Sequence, residues 1–491
     1  MTTKIILIQN ISDIELLPKN IFGEKDVTIF SFSTNVHKEL KSQKINHIIA
    51  DNFLDQDERL ELFDKGLSFL NNFKTISNEL KFKEIDLLKL FDTHELLSYL
   101  VPNLVKFIIV KRIIEKGTPT IIYANNTFKK IILSIIEKNE IKTYFHENKI
   151  EESLLWDNIT IKYSLMKIPI HFTLSKNNYL KIKKFFETVV NIFHNISLDL
   201  TDSTKKSIIL LEFNPELWEN LFDNLKNYDG NIILVNRRRP AAWSKKSLNI
   251  IKNSNIKILN FDKILTQNEV QRIPIIVNEY LTKIKKSWKN SEDISNSFYI
   301  ENCNFWNVVE KNILEMFSKK ISEFIFLILV SKKLFQQMDI RCVASLHETG
   351  ETEKIFLECN KNEFPTIVFD HGFVERVEDT KRFDKLLYVY FKDKIALWGN
   401  VRRDYLINEY NILPKKILVT GSPRHDVYFN SRCNKKHNNE ITLLLAPNPI
   451  GNFSGLSSTN LEINFENTLN EIISIIKPQF VIRKDSFAKQ K

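Results

Sequence analysis

Short apolar runs alternate with amphipathic stretches through the first part of the chain. Helical periodicity marks Gln56–Asn72 and Phe128–Lys138. The apolar runs around these segments are rich in β-branched residues: Lys4–Gln9, Val27–Phe32, Ile45–Ala50, Pro119–Tyr123 and Ile141–His146. Strands that alternate with helices in this way form βαβ units with parallel pairing. The pattern therefore predicts an α/β region over residues 1–150.

A second α/β pattern begins after a predicted helical linker at residues 151–203, in which Tyr179–Ile196 has helical periodicity. Ser207–Phe213 predicts a strand, and Pro215–Asn227 predicts a helix with Asn214 as its N-cap. Two further strands and two long helices are predicted at Asn231–Val235, Ile256–Phe261, Thr266–Asn290 and Asn304–Gln337.

Four short strands between residues 340 and 426 each run into a polar loop. They are Ile340–Ser345, Pro365–Phe369, Lys394–Trp398 and Ile417–Thr420. Open parallel sheets bind ligands just beyond the carboxyl ends of their strands. The four loops therefore predict the rim of a ligand cleft within a domain at residues 204–426.

The pattern of residues 427–491 predicts one more small α/β unit. It has a strand at Glu440–Ala446, an amphipathic helix at Leu461–Ile476 and a strand at Gln479–Arg483. Two parallel strands cannot close a core of their own. We therefore expect residues 427–491 to be a partial domain that docks on the preceding one or belongs to something longer.

Composition and charge narrow the class of protein. Hydrophobic residues make up 43% of the chain and charged residues 26%, as in globular proteins. The formal charge of +10 is spread without a basic tail, so nucleic acid is not an expected partner. The four cysteines form no CxxC pair, which predicts reduced thiols, a cytoplasmic setting and no metal site. No uncharged apolar run approaches the roughly 18 residues that span a bilayer.

His371 is the sharpest chemical signal, because histidine titrates near neutrality and Gly372 beside it lets a substrate approach. Arg424 follows another strand and can hold a phosphate or carboxylate with two hydrogen bonds, with Asp426 two residues further on. The alternatives are a histidine that hydrogen-bonds its own loop and a structural turn in which Arg424 pairs with Asp426.

Three more loops contain candidate residues. Glu348 and Glu351 lie at a predicted helix start, and either one of them takes part in catalysis or both only complement the helix dipole. Arg238, the middle of three arginines, either binds a phosphate-bearing substrate or lies in a solvated basic loop. Asn448 lies in a loop of small residues suited to a nucleotide or sugar, although that loop lacks the dinucleotide and P-loop patterns.

Residues 340–491 resemble glycosyltransferases of the GT-B type, and most of all the capsule-polysaccharide and CDP-glycerol glycerophosphotransferase-like enzymes. Val368–Gly372 resembles the strand and His-Gly loop of that group. Ile395–Gly399, the following helix and Lys416–Asp426 resemble its ordered strand, helix and Thr-Gly turn. Leu443–Asn448 resembles the strand that opens its second Rossmann-like domain.

The resemblance implies an α/β fold of Rossmann-like parallel-sheet domains of the GT-B type, with an incomplete C-terminal unit and an extra N-terminal α/β region. It implies that residues 204–426 form the acceptor-side domain, with His371 as general base, and that Arg424 and Asn448 lie near the donor phosphates. It also implies that the reaction needs no cofactor and no metal. Lys484-Asp485-Ser486 departs from the His-Pro of that group, and from the comparison with the group we expect the donor site of residues 427–491 to be incomplete.

The expected function is transfer of a sugar or polyol phosphate from a nucleotide-activated donor to a glycan or lipid-linked acceptor, in surface-polysaccharide biosynthesis. One rival is a nucleotide-sugar 2-epimerase of the same fold, which would release a free epimer without an acceptor. The other is a non-catalytic binding or scaffold protein, which the incomplete donor site favours. Attachment to the inner face of the cell membrane, and assembly with a partner chain or further copies, stay open.

Overall fold

Two parallel β-sheets organise the chain. A computed structural model describes residues 3–72, 80–136, 141–147, 157–165, 168–198, 200, 204–289, 292–359, 363–370, 393–426 and 458–476. Both sheets have the Rossmann strand order, in which the first strand lies in the middle and the order reverses beside it. The predicted α/β fold with Rossmann-like parallel sheets is therefore confirmed.

The first unit contains a five-stranded sheet in the order β3-β2-β1-β6-β7. Its elements are, in chain order, β1 (Lys4–Ile8), α1 (Ile11–Leu16), β2 (Val27–Ser31), α2 (Thr34–Ser42), β3 (Ile48–Ile49), α3 (Gln56–Asn72), β4 (Lys81–Phe82), β5 (Ile85–Asp86), α4 (Thr93–Gly117), β6 (Ile121–Asn125), α5 (Asn126–Ile135) and β7 (Lys142–His146). The strand pairs of this sheet are parallel in register, for example Lys4 with Val27 and with Ile121.

A hairpin and a helix connect the two units: β8 (Asn158–Leu165), β9 (Ile168–Ser175) and α6 (Lys176–His194). The helix was predicted at Tyr179–Ile196. The linker predicted to be helical over residues 151–203 instead contains an antiparallel hairpin before α6, because the alternating apolar and polar residues of Asn158–Leu165 favour a strand. Ser175 caps α6, since its Oγ accepts a hydrogen bond from the N–H of Asn178.

The second unit contains a seven-stranded sheet in the order β12-β11-β10-β15-β16-β17-β18. Its elements are β10 (Lys206–Leu211), α7 (Glu219–Leu225), β11 (Asn231–Val235), α8 (Lys245–Asn253), β12 (Ile256–Ile258), α9 (Gln267–Lys289), α10 (Glu292–Ser297), β13 (Tyr299–Ile300), β14 (Cys303–Asn304), α11 (Trp306–Gln337), β15 (Asp339–Ser345), α12 (Glu351–Cys359), β16 (Thr366–Phe369), β17 (Lys394–Leu397), α13 (Asn400–Tyr410) and β18 (Ile417–Val419). The four strands predicted between residues 340 and 426 are adjacent and parallel.

One helix and one strand of the second unit are shorter than predicted. The helix predicted from Pro215 begins only at Glu219, because the preceding residues form a turn in which Asn214 Oδ1 accepts from the N–H of Glu216 at 3.0 Å. The strand predicted to reach Phe261 ends at Ile258, because Asn260 caps a short 3-10 turn there.

One hydrophobic core joins the two units. Ile5 and Leu7 of the first sheet and Ile209 and Leu211 of the second belong to the same buried cluster, together with residues of α4, α9 and α11. Separate clusters cover the other faces of the sheets, with α1 and α2 on the first and α7 and α8 on the second. Burial on both faces explains why these strands are almost continuously apolar.

The last described helix, α14 (Thr459–Ile476), lies against the first unit. Its Thr459 N–H donates to Oδ2 of Asp51 at 2.7 Å, and Glu466 pairs with Lys38 of α2. The strands predicted at 440–446 and 479–483 lie outside the described residues. The division at residues 150, 203 and 426 stays a prediction.

Candidate active site

The loops after β10, β11 and β15 meet at the centre of the second sheet, where its strand order reverses. Glu212 follows β10 with a left-handed φ of 58°. Its Oε1 accepts hydrogen bonds from the backbone N–H groups of Arg237 at 2.8 Å and Arg238 at 3.1 Å. Open α/β sheets bind ligands at this point. Glu212 therefore holds the arginine loop where a ligand is expected.

His347, Arg238 and Glu353 lie in direct contact here. Arg238 Nη2 is 3.2 Å from His347 Nε2, which is 3.3 Å from Glu353 Oε1, and Arg238 also pairs with Glu353. Glu353 is fully buried, and its Oε2 has no hydrogen-bond partner among the described residues. That oxygen lies against Gly350, where any side chain would collide with it. Glu353 therefore retains an oxygen that can accept a proton.

The pKa of Glu353 suits proton transfer at neutral pH. Burial raises this pKa from 4.5 to about 7, against the attraction of Arg238 and with help from the Glu212 and Asp92 carboxylates. A general base works best when its pKa lies near the operating pH. Perturbed carboxyl groups of this kind cluster at functional sites.

The amino end of α4, which belongs to the first unit, contacts the loop after β15 at this site. Thr93 N–H donates to the carbonyl of Thr349 at 3.3 Å. Lys354 Nζ donates to the Phe91 carbonyl and, at 2.7 Å, to Thr93 Oγ1. Because α4 leads into β6, its amino end lies on the side where the strands of the first sheet end. The two units therefore meet on the sides that bind ligands in open α/β sheets.

Buried ion pairs tie the units together around the site. Lys320 of α11 pairs with Glu95 of α4 at 2.8 Å and with Glu351 of α12. Burial opposes the charge of Lys320, but the two carboxylates outweigh it and raise its pKa. Arg237 pairs with Glu323 and lies 3.7 Å from Glu351. Arg237 is thus part of the framework rather than a free cation.

Two lysines around the site also titrate near neutrality. Burial lowers the pKa of Lys176 to about 8, helped by the positive charges of Lys320 and Arg237. Burial likewise lowers the pKa of Lys354 to about 8, against the attraction of nearby carboxylates such as that of Asp92. Because the pKa values of Glu353 and of these two lysines lie near neutral pH, the net charge of the site can change there with little free energy.

A separate cluster of polar side chains lies beyond the outer strands of the second sheet. Trp398 Nε1 donates to the Asp370 carbonyl at 2.6 Å, and the buried Arg402 Nε lies 3.9 Å from Asp370 Oδ2. Gly421 turns the next loop with a φ of +77°, a conformation that favours glycine. His425 of that loop packs against the Trp398 ring at 4.5 Å between centroids.

The predicted site residues are not all brought together. Glu348 is buried in the loop that contains His347, and Arg238 is held between Glu212 and Glu353. Arg424 is half-buried and Asp426 exposed, beyond β18. Strands β11 and β18 are five positions apart, or roughly 24 Å, so the Arg238 and Arg424 loops lie on different parts of the rim. His371, Gly372 and Asn448 lie outside the described residues.

Sequence reasoning overlooked His347 and Glu353. Both lie in or beside the loop it singled out, but acidic residues in a first helical turn usually only complement the dipole. Burial beside Arg238, which distinguishes Glu353 from Glu351, is a property of the tertiary structure.

The first sheet has its own polar cluster at the same topological position. Buried Asp13 accepts hydrogen bonds from the N–H groups of Gln9 at 3.0 Å and Asn10 at 2.9 Å, and from Asn125 Nδ2 at 2.8 Å. His146 Nε2 lies 3.3 Å from its other oxygen. Burial alone would raise the pKa of Asp13, but these hydrogen bonds lower it overall.

Asp13→Ala is expected to lower the free energy of unfolding by about 3 kcal/mol, because it leaves buried donors unpaired. A carboxyl with a lowered folded-state pKa stabilises above its ordinary value of 3.8, and this stabilisation disappears as the pH falls through the folded-state pKa. Urea denaturation at pH 7 and in acid measures both effects. Asp26→Ala, at a half-exposed carboxylate 3.8 Å from Lys4, should cost less than about 0.5 kcal/mol. Equal losses for the two variants would contradict the prediction.

Other chemistries find less support in the described part of the chain. No group of three or more potential metal ligands occurs there. Burial raises the pKa of the Cys342 thiol to about 11 and that of Cys359 to about 12, so neither is a nucleophile at neutral pH.

None of the described helices is long and apolar enough to cross a membrane. Two surface cavities lie elsewhere, one at the β4–β5 hairpin and one at the amino ends of β1 and β2, opposite the edge where such sheets bind ligands.

Comparisons with known proteins identify no family. No protein-family model matches the chain, and no curated protein matches it. Among solved structures, it is similar to a ketoreductase domain from the bacillaene assembly line, with 12% sequence identity over 78% of this chain and 85% of that chain. The TM-score of 0.19 is too low to support any statement about fold or function.

Proposed function

We propose that this protein is a transferase that moves a sugar or a polyol phosphate from a nucleotide-activated donor to an acceptor hydroxyl. The observation that carries the proposal is the contact between the two Rossmann-ordered units at Thr93 and Thr349, on the sides where open α/β sheets bind ligands and beside the His347–Glu353 pair. A site between two such sides can bind one substrate on each, as a transfer between two substrates requires. The resemblance of residues 340–491 to GT-B enzymes supports the same reaction.

The proposed chemistry uses the His347–Glu353 pair as proton acceptor. His347 is the more exposed of the two, so its ring meets the acceptor hydroxyl, and Glu353 stabilises the proton that the ring takes up. The acceptor oxygen forms the new bond to the transferred group, and the nucleotide phosphate leaves with the bonding electrons. When Glu353 shares this proton with His347, its carboxylate attracts the Arg238 guanidinium less strongly. The guanidinium can then stabilise the departing phosphate.

The acceptor and the setting are parts of the same proposal. A growing surface glycan or a lipid-linked intermediate supplies the hydroxyl, and the reaction takes place in the cytoplasm, at the inner face of the membrane. His371 remains a predicted contributor on the acceptor side, and Arg424 and Asn448 remain predicted contributors near the donor phosphates.

Calorimetric titration with UDP, CDP, GDP and CMP tests the donor class. We expect one nucleotide to bind more tightly than the others, and Arg238→Gln to weaken its binding by about tenfold because a charged hydrogen-bond donor is lost. Arg403→Gln, an exposed arginine paired with its neighbour Asp404, is the matched control and should bind as the unchanged protein does. Failure of all four nucleotides to bind, or equal binding by Arg238→Gln, would refute the proposal.

A further inference from the structure

Helix α6 presents an apolar stripe to solvent. Phe185, Ile192 and Phe193 are 72%, 73% and 77% exposed, and Ile182 and Phe186 are exposed on the same side. Their spacing of three and four residues places them on one face of the helix. From the area of such side chains, the stripe exposes about 600 Å² of apolar surface. That is as large as the largest apolar patch of a typical monomer, and such patches usually have a function.

The inner side of the same helix contacts the candidate active site. Tyr179 donates its hydroxyl hydrogen to the Arg238 carbonyl at 2.9 Å, and Lys183 Nζ donates to the Asn236 carbonyl at 3.2 Å. These bonds fix the helix on the arginine loop. The apolar stripe is therefore held facing outward, and whatever covers it lies close to the site.

The charge beside the stripe is positive. Lys181 and Lys184 are exposed at its flank, and the pair that Lys184 makes with Asp262 at 2.9 Å is itself exposed and therefore weak. Phenylalanine and isoleucine on one face with lysines at the flank are typical of helices that lie in the plane of a bilayer surface. Each lysine near an anionic leaflet contributes about 1 kcal/mol. The net charge of +10 acts in the same direction.

The same basic flank argues against a second copy of the chain as the occupant. A twofold interface brings one patch against itself, so Lys181 and Lys184 would enter an interface with their own copies. Like charges so placed oppose association. An anionic headgroup layer instead neutralises them.

We propose that α6 docks this protein on an anionic lipid surface, with the apolar stripe in the headgroup layer and the candidate active site held beside the membrane. The docking does not depend on the proposed function. One consequence does rest on the proposed function: a lipid-borne acceptor would reach His347 from the membrane side.

Co-sedimentation with vesicles tests the docking in the absence of nucleotide. The protein should bind vesicles of equal parts phosphatidylcholine and phosphatidylglycerol, bind poorly to phosphatidylcholine alone, and dissociate as salt is raised. Phe185→Ser with Phe193→Ser should lower binding by about tenfold or more, because two large apolar groups no longer enter the bilayer. The matched control is Ile275→Ser with Val401→Ser, at side chains 70% and 74% exposed elsewhere, which should bind as the unchanged protein does.

Two results would overturn the docking. One is equal vesicle binding by the Phe185/Phe193 variant and the unchanged protein. The other is a dimer in lipid-free sedimentation that this variant converts to a monomer, since the stripe would then be a contact between copies. The variant should still bind nucleotide without lipid, so a failure of the docking and a failure of the proposed function are distinguishable.

Discussion

Glu353→Gln is expected to lower the rate of transfer by about two to three orders of magnitude without weakening nucleotide binding. Glutamine keeps the shape of the buried side chain but cannot stabilise a proton on His347, and positioned bases contribute about 10²–10⁴ in rate. It also leaves Arg238 without its closest carboxylate, so the guanidinium stays available to phosphate. The measurement is release of the nucleotide identified by titration from its activated donor, at saturating acceptor.

The pH dependence gives this prediction a second readout. Glu353 acts as the carboxylate, and its pKa is about 7, so the rate of the unchanged protein should rise with pH through about 7 and then level off. Glu353→Gln should lose that rise. Glu358→Gln, at the far end of α12, is the matched control and should keep both the rate and the profile. A Glu353→Gln profile that still rises near pH 7 would assign the titration to another group.

Comparison with His347→Gln shows whether the two residues act as one unit. Groups that act in one proton transfer are strongly non-additive, so the double variant should be no slower than the slower single variant. Glu348→Gln and His371→Ala test the residues that the sequence favoured. If His371→Ala lowers the rate while Glu353→Gln does not, the base is His371.

Lys320→Met is expected to lower the free energy of unfolding by about 3–5 kcal/mol, the largest stability effect of the substitutions considered. Lys320 is buried between Glu95 of the first unit and Glu351 of the second. Methionine fills a similar volume but leaves Glu95 without its cation and Glu351 with the more distant Arg237, and breaking a buried ion pair costs this much. Chemical denaturation at pH 7 measures the loss.

The neighbouring lysine provides the matched control. Lys319 is exposed and pairs with Glu315 on the surface of α11, so Lys319→Met should change stability by less than about 0.5 kcal/mol. Adding Glu95→Gln and Glu351→Gln to Lys320→Met should recover part of the loss, because the buried charges are then gone. A small effect of Lys320→Met, or no recovery in the triple variant, would show that this ion pair does not join the units.

Much of the fold could be predicted from local pattern. Strand β11 was predicted with its observed bounds, as was α3, because a buried parallel strand is continuously apolar and an amphipathic helix repeats every three to four residues. Errors arose where side chains compete with the backbone, as at Asn214 and Asn260, whose oxygens stabilise turns in place of a longer helix or strand.

The sequence predicts where the candidate site lies but not which side chains form it. Strands that end in polar loops identify the rim, because parallel sheets leave their chemistry to the loops at one edge. Which side chains meet there depends on residues far apart in sequence. Arg238 and Glu353 are brought together by β11 and by the helix after β15, and sequence spacing does not reveal this contact.

By itself, the sequence determined the α/β class, most strands and helices and the loops that form the candidate ligand-binding rim, because these depend on periodicity and on residues close together in the chain. Only the tertiary structure decided that the two units meet at Thr93 and Thr349 and that Lys320 lies between two carboxylates. It alone also placed Glu353 in an environment that raises its pKa to about 7. Burial and electrostatic coupling are properties of the packed molecule, and one-dimensional order does not specify them.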